Sequence, residues 1–211
     1  TSAGDDGLPL WSPDGTRLAF FSAGVWVMNS NGTGATQVLT FPRTAIMNIA
    51  GMAWSPDGNK LVISASLSPD GQKMFLLYII AIGYPLPAPA KLTSNSLHFE
   101  SNPSWAPGPQ IVWIAASSDI FIANGDGSNP QNLTQYTSGI VVTGGPQTTD
   151  DGQTIVFSTN AGGYQELWSV ASVGGNLTQL THNALSTGGD LVTDVSSDGR
   201  LVAYDHYASD T

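Results

Sequence analysis

Apolar residues occur in short runs along the whole chain, and turns rich in Gly, Pro, Asn and Asp separate one run from the next. Four of these turns carry an Asp-Gly pair at the same position of a repeating pattern, at 14–15, 57–58, 151–152 and 198–199. Because Asp accepts hydrogen bonds within its own turn and Gly tolerates a positive φ, each pair predicts a hairpin of two strands, a and b. The pattern predicts an all-β chain with almost no helix.

A third and a fourth strand are predicted after the hairpins. Strand c is an apolar run closed by a polar turn, as at 25–29, 120–124 and 167–171. Strand d ends at a Leu-Thr pair, at 39–40, 92–93, 133–134 and 180–181. The order a, b, c, d therefore predicts antiparallel sheets of four strands.

Five segments align on an anchor residue at the end of strand a, and the anchors are Trp11, Trp54, Trp105, Thr148 and Val195. Their spacing is 43 to 51 residues, close to the ~40–45 residues of a four-stranded propeller blade. The sequence predicts one propeller domain over 1–211, with blades near 7–40, 50–93, 101–134, 144–181 and 191–211. The fifth blade is expected to be incomplete, because the segment after Val195 has room for strand b but not for c and d.

The string Trp-Ser-Pro-Asp-Gly, present at 11–15 and 54–58, resembles the repeat of TolB-like β-propellers, which are relatives of the WD40-like blades. The aromatic strand c and the Leu-Thr end of strand d strengthen the resemblance, which extends over the five repeats. The third repeat has Gly-Pro in place of Asp-Gly, and the last two lack the tryptophan. The resemblance implies a rigid module that binds partners through its loops.

Large apolar anchors suit the wedge between neighbouring blades, where the inner strands face each other. Trp11, Trp54 and Trp105 are therefore expected to be core residues. The alternative is that they form exposed aromatic platforms for sugar stacking, which is the rarer role for aromatic residues at repeat-equivalent positions.

An acidic residue recurs five positions before three of the anchors, as Asp6, Glu100 and Asp190. The family that the repeat resembles also tends to have Asp or Glu here. In one interpretation the carboxylates ring the mouth of the propeller channel and bind a divalent cation or a basic segment of a partner. In the other, each carboxylate accepts backbone N–H bonds within its own connection.

Most other acids have a structural explanation. Those that precede a glycine are predicted to form turns, and they are Asp14, Asp57, Asp70, Asp126, Asp151 and Asp198. Asp119 and Glu166 begin two of the c strands and are expected to be solvated charges at the sheet edge.

The histidines leave an enzyme alternative open. His98 and His182 fall in connections from strand d to the next strand a, which share one face of a propeller. Some TolB-like oligouronide lyases have a histidine-lined metal site, so the resemblance makes a lyase the alternative. His206, however, is predicted on the far side of a strand. The sequence predicts no cofactor, resident metal or catalytic residue, since it has no serine-elbow, zinc-binding or phosphate-loop motif.

Charge narrows the range of partners. With 6 basic and 16 acidic residues the net charge is −10, which disfavours nucleic acid and anionic membrane surfaces. Charged residues make up only 10% of the chain and cysteine is absent, a composition that suits an extracellular or periplasmic protein. The most apolar run, 74–82, is too short for a membrane-spanning helix.

The sequence therefore favours a non-catalytic, exported propeller that serves as a scaffold for a protein or glycan partner. Two alternatives stay open: an enzyme similar to the uronide lyases, and a structural subunit of an extracellular oligomer or filament. The second alternative follows from the fifth blade, whose strand b is expected to have an unpaired edge. Either a longer natural chain or strands donated by another copy would cover that edge.

Overall fold

The computed structural model describes residues 7–40, 49–66, 75–83, 88–93, 99–115, 118–136, 139–182, 188–196 and 198–207. Within these ranges the chain forms strands and turns and no helix, which confirms the predicted all-β class. The described residues accordingly include no helix that could cross a membrane. The chain divides into two compact units, Thr1–Pro103 and Ser104–Thr211.

The first unit contains two four-stranded antiparallel sheets in which neighbouring strands follow each other along the chain. Sheet 1 consists of β1 (Gly7–Trp11), β2 (Arg17–Phe21), β3 (Gly24–Asn29) and β4 (Thr36–Thr40). Sheet 2 consists of β5 (Ile49–Trp54), β6 (Lys60–Ala65), β7 (Leu76–Ala81) and β8 (Ala90–Lys91).

The second unit contains the remaining sheets, although the first strand of sheet 3 begins in the first unit. Sheet 3 consists of β9 (Glu100–Ala106), β10 (Gln110–Ala115), β11 (Asp119–Asn124) and β12 (Gln131–Asn132). Sheet 4 consists of β13 (Val142–Thr148), β14 (Thr154–Thr159), β15 (Glu166–Ala171) and β16 (Thr178–Gln179). Sheet 5 has two described strands, β17 (Gly189–Val195) and β18 (Val202–Tyr207). The predicted four-stranded sheets are confirmed, whereas the count of five repeats stays a prediction.

The Asp-Gly turns join strands a and b as the sequence predicts. The hydroxyl of Ser12 donates to the Asp14 carboxylate at 2.6 Å, and the backbone N–H of Thr16 donates to the same oxygen at 3.0 Å. These hydrogen bonds lower the pKa of Asp14 to about 2, because they favour the charged form. Gly15 has φ +68°, which a residue with a Cβ adopts only with strain. The other described turn aspartates are held in the same way: Asp57, Asp126, Asp151 and Asp198. Asp70 lies outside the described residues.

Each unit has an apolar core between two successive sheets. In the first unit, the front face of sheet 1, which includes Ala19, Val25 and Val27, packs against Leu61 and Ile63 of sheet 2. In the second unit, a core cluster joins aliphatic residues of sheet 3 to buried residues of sheet 4; it includes Val112, Ile114, Ile120, Ile155 and Phe157. Face-to-face packing of successive sheets is the arrangement that the repeat predicts for propeller blades.

Candidate functional site

The anchor tryptophans do not share one environment. Trp54 is 6% exposed and belongs to the core of the first unit, as the repeat predicts. Trp11 is 56% exposed, so the expectation that it is a core residue is corrected. Trp105 is half-buried, and its ring lies against Gly125. The reason for the difference between Trp54 and Trp11 is the packing on the two sheets that carry them.

Trp11 belongs to an apolar surface on sheet 1, which we call the back face. Strand pairing places Trp11 beside Leu18, Leu18 beside Met28, and Phe20 beside Trp26. Paired residues of an antiparallel sheet point to the same side, so the back face consists of Trp11, Leu18, Phe20, Trp26 and Met28. The rings of Phe20 and Trp26 stack with centroids 6.4 Å apart. The four residues besides Trp11 are half-buried, and none of the five is charged.

The equivalent surface of sheet 2 is covered. Leu61 pairs with Trp54 and with Ile80, and Ile63 pairs with Tyr78, in the same register as on sheet 1. Leu61 and Ile63 are fully buried and Ile80 is 1% exposed, because the front face of sheet 1 packs against them. Among the described residues of the first unit, nothing covers the back face of sheet 1 in this way. The same repeat position is therefore a core in sheet 2 and a surface in sheet 1.

Two polar contacts accompany the packing of sheet 1 on sheet 2. The indole N–H of Trp54 donates to the backbone oxygen of Leu10 at 3.0 Å. The guanidinium of Arg17 donates to the backbone oxygen of Gly58 at 2.7 Å and lies 5.1 Å from the centroid of the Trp54 ring. In this contact the covered face of sheet 2 meets small aliphatic side chains, a backbone carbonyl and a cation of sheet 1.

Sheet 5 exposes a surface of apolar and acidic side chains. Val202 on β18 packs toward Val156 and Leu167 of sheet 4. Side chains alternate along a strand, so Ala203 and Asp205 point away from sheet 4, and so does Asp194, which lies directly opposite Ala203. Leu201 is 71% exposed, and Ala203 is also exposed. In the repeat alignment Ala203 corresponds to Ala19, which is fully buried at the contact between sheets 1 and 2.

Glu100, one of the three acids predicted at the channel mouth, is 3% exposed. Its carboxylate accepts the backbone N–H of Leu77 at 3.2 Å and the hydroxyl hydrogen of Thr93. Its own backbone N–H donates to the oxygen of Phe75 at 3.2 Å. Burial raises the pKa of Glu100. The N–H group that the carboxylate accepts belongs to β7 of the preceding sheet and not to the residue's own connection, which is where the second interpretation expected it.

Asp190 occupies the equivalent position in the second unit. It is 1% exposed, and its backbone N–H donates to the oxygen of Gln165 at 3.0 Å, as that of Glu100 does to Phe75. Its carboxylate lies 2.7 Å from Nδ1 of His206, the residue directly opposite it on β18. Asp6 lies outside the described residues. A binding role for the three acids together, with or without a divalent cation, stays a prediction.

The Leu-Thr pairs have a role that sequence reasoning missed. The hydroxyl oxygen of Thr93 accepts the N–H of Leu77 at 3.1 Å, and the hydroxyl oxygens of Thr134 and Thr181 accept equivalent N–H groups near the start of strand c. Thr134 in turn donates to Asp119 at 2.7 Å. The sequence signal for this role was the recurrence of threonine at the end of strand d, because a hydroxyl group can donate one hydrogen bond and accept others.

Two expectations for the acids that begin strand c differ from the structure. Glu166 is 2% exposed, so the prediction of a solvated edge charge is wrong for it. Asp119 is half-buried and accepts the N–H of Tyr136 at 2.8 Å. The start of strand c is covered because the next sheet begins alongside it, as in the parallel bridge from Gln165 to Gly189.

The histidines are not brought together among the described residues. His182 is exposed in the connection after sheet 4, and His98 lies outside the described residues. His206 is 54% exposed at its side chain and faces Asp190. In the part of the chain that the structure describes, no group of three or more His, Cys, Asp or Glu could hold a metal ion.

The fold resembles that of known propellers. No family model and no curated protein matches the sequence. The putative TolB from Agrobacterium tumefaciens is 23% identical, with a TM-score of 0.77 over 100% of this chain and 73% of that one. TolB from Acinetobacter baumannii is 17% identical, with a TM-score of 0.67, over 99% of this chain and 56% of that one. An oligogalacturonate lyase in complex with manganese is 15% identical, with a TM-score of 0.71, over 94% and 58% of the chains. The chain thus has the fold of the TolB-like β-propellers that its repeat resembles.

Proposed function

We propose that this chain is a non-catalytic assembly scaffold that binds a protein partner through the back face of sheet 1. The observation that carries the proposal is the contrast between Trp11, 56% exposed, and Trp54, 6% exposed, at the same repeat position. Soluble proteins rarely leave a contiguous apolar surface uncovered unless it is an interaction site. An exported location, extracellular or periplasmic, is part of the proposal.

The apolar side chains of the back face favour contact with a partner over contact with water. Full burial of a large apolar side chain contributes about 1.5–3 kcal/mol, and Trp11, Phe20 and Trp26 are aromatic residues with larger areas than most. The back face itself carries no charge, whereas the exposed side of sheet 5 carries Asp194 and Asp205 and the chain as a whole has a net charge of −10. Association through this face should therefore strengthen as salt screens the repulsion between acidic chains.

The partner that we propose is a second copy of this chain, which presents the exposed side of sheet 5. This docking repeats a contact that the first unit already contains, where Ala19 and its neighbours cover Trp54. Ala203 stands at the position of Ala19, and Leu201 stands at that of Arg17. The contact joins two different surfaces, so successive copies form a closed ring or an open polymer.

Sedimentation velocity of the 211-residue chain tests the proposal. We expect the chain to associate as its concentration is raised to about 1 mM, and to associate more at higher salt. A contact weaker than about 4 kcal/mol would not be detected at about 1 mM. Trp11→Asp should abolish the association, because the aspartate replaces the indole with a negative charge opposite the acidic side of sheet 5. Val173→Asp is the matched control, since Val173 is 86% exposed and lies in the turn after β15.

Two results would contradict the proposal. One is a wild-type chain that sediments as a monomer at every concentration and salt. The other is a Trp11→Asp variant that associates as strongly as the wild type while Val173→Asp does the same. Circular dichroism of both variants shows whether a loss of association reflects a loss of fold.

The lyase alternative rests on the similarity to the manganese-bound oligogalacturonate lyase, which is a similarity of fold. It predicts that the purified chain binds a divalent cation and releases unsaturated products from oligogalacturonate. Metal analysis together with the ultraviolet absorbance of such products tests it. His98→Ala and His182→Ala should then abolish product formation, and an assembly scaffold should show neither metal nor product.

A further inference from the structure

A groove of about 390 Å³ lies in the second unit, between the turns that follow strand c in sheets 3 and 4. Four side-chain amides line it: Gln110, Asn124, Asn129 and Gln131. Ser172 and Val173 contribute a hydroxyl group and an aliphatic surface from sheet 4. The volume lies in the range of small-ligand sites, about 300–1,000 Å³.

The amides are placed together by strand pairing. Gln110 at the start of β10 is directly opposite Asn124 at the end of β11, and Gln131 on β12 pairs with Ile122 at the base of the groove. Asn129 lies in the connecting turn with φ +54°. The groove is thus built on the ordered edge of sheet 3.

Most of the hydrogen-bonding capacity of these amides is unused within the described chain. Asn124 donates to Ser128 at 2.8 Å. Gln110, Asn129 and Gln131 form no side-chain hydrogen bond with any described residue. Each amide presents a carbonyl acceptor beside an NH₂ donor. Three such pairs therefore face one concave surface with their donors and acceptors open to a ligand.

We infer that this groove binds a neutral oligosaccharide. A sugar hydroxyl both donates and accepts, so neighbouring hydroxyl groups match the paired donor and acceptor of a side-chain amide. The aliphatic side chain of Val173, which is 86% exposed, offers a surface for the C–H face of a sugar ring. No ionisable residue lines the groove, so neither an anionic nor a cationic ligand gains a charge partner there.

A peptide fits the groove less well than a sugar. Extended peptides bind mainly by adding a strand to a sheet edge through backbone hydrogen bonds. The outer strand of sheet 3, β12, has only two residues, which leaves little edge to extend. The groups that the groove offers are side-chain amides.

Nuclear magnetic resonance titration of the 211-residue chain tests the inference. The probes are cellohexaose, maltohexaose and mannohexaose, with hexagalacturonate as the anionic comparison. At least one neutral hexasaccharide should shift the side-chain NH₂ signals of Gln110 and Gln131 and the backbone signal of Val173. Hexagalacturonate should shift them less at equal concentration.

Two variants measure the contribution of the amides. Gln131→Ala and Asn129→Gly should each weaken binding about fivefold to tenfold, the effect of one lost hydrogen bond. Glycine is chosen at Asn129 because it adopts the positive φ without strain. The matched control is Gln37→Ala, a glutamine on the outer strand of sheet 1, which should bind as the wild type does.

Three results would overturn the inference. The first is no shift with any neutral hexasaccharide at about 10 mM, well above a millimolar dissociation constant. The second is an equal loss of binding in Gln37→Ala, or no loss in the two groove variants. The third is a stronger response to an uncharged Gly-Ser hexapeptide, which would make the groove a peptide site. Because the groove and the back face are tested with different variants, failure of one proposal is distinguishable from failure of the other.

Discussion

Trp11→Ala and Trp54→Ala form a matched pair of substitutions in identical Trp-Ser-Pro-Asp-Gly strings. Truncating a buried tryptophan typically costs about 3–5 kcal/mol. For Trp54 this includes the hydrogen bond to the oxygen of Leu10 and the contact with Arg17. Trp11 already has 56% of its surface in water, so its truncation should cost at most about 1 kcal/mol.

Thermal unfolding followed by circular dichroism measures the difference. In a chain of this size each kcal/mol shifts Tm by about 2–4 °C, so Trp54→Ala should lower Tm by about 6–12 °C or more. Trp11→Ala should lower it by less than about 4 °C. Trp54→Phe should fall between the two and keeps the comparison measurable if Trp54→Ala does not fold. Equal losses for both alanine variants would refute the assignment of a bare back face on sheet 1.

Three further predictions concern the polar contacts, and each is checked by urea or thermal unfolding. Burial raises the pKa of Glu100 above its ordinary value of 4.5. The contribution of Glu100 to stability is therefore greatest below pH 4.5 and is lost as pH rises through the pKa of the folded state. Glu100→Gln should gain stability relative to wild type between pH 4 and pH 7. The pKa of Asp57 is lowered by bonds from Ser55 and Asn59, so Asp57→Asn should be less stable than wild type above pH 4, and the two should converge as pH falls below 3.8. Thr181→Val removes the acceptor of the Leu167 N–H and should cost about 1 kcal/mol, which an unchanged urea midpoint would contradict.

Much of the fold could be predicted because its signals are local. An Asp-Gly turn holds its own hydrogen bonds, as those of Ser12 and Thr16 to Asp14 show. The order of four strands likewise follows from runs and turns that neighbour each other in the chain. Local chemistry of this kind is fully present in the sequence.

The environment of the anchors could not be predicted from the repeat. Trp11 and Trp54 have the same four residues after them, yet one is exposed and the other buried. The difference depends on whether another sheet covers the face, which is a property of tertiary packing. A local sequence pattern identifies the side chain but not the residues of another sheet that pack against it.

The acids that begin strands a and c show the same limit. The sequence shows that an acid recurs at the position of Glu100 and Asp190. It does not show that both acids are buried, because their burial requires that the beginning of β9 or β17 lies beside the preceding sheet. The parallel bridges from Phe75 to Phe99 and from Gln165 to Gly189 create that arrangement. Glu166 was expected in solvent because no local signal reveals the bridge that covers it.

Cross-linking between two copies shows whether the back face of sheet 1 docks on sheet 5 of another copy. The chain has no cysteine, so Leu18→Cys and Ala203→Cys each carry a single thiol. When the two variants are mixed with a short bismaleimide, we expect a covalent heterodimer that forms faster than in a mixture of Leu18→Cys with Val173→Cys. Equal yields from the two mixtures, or no heterodimer at all, would contradict it.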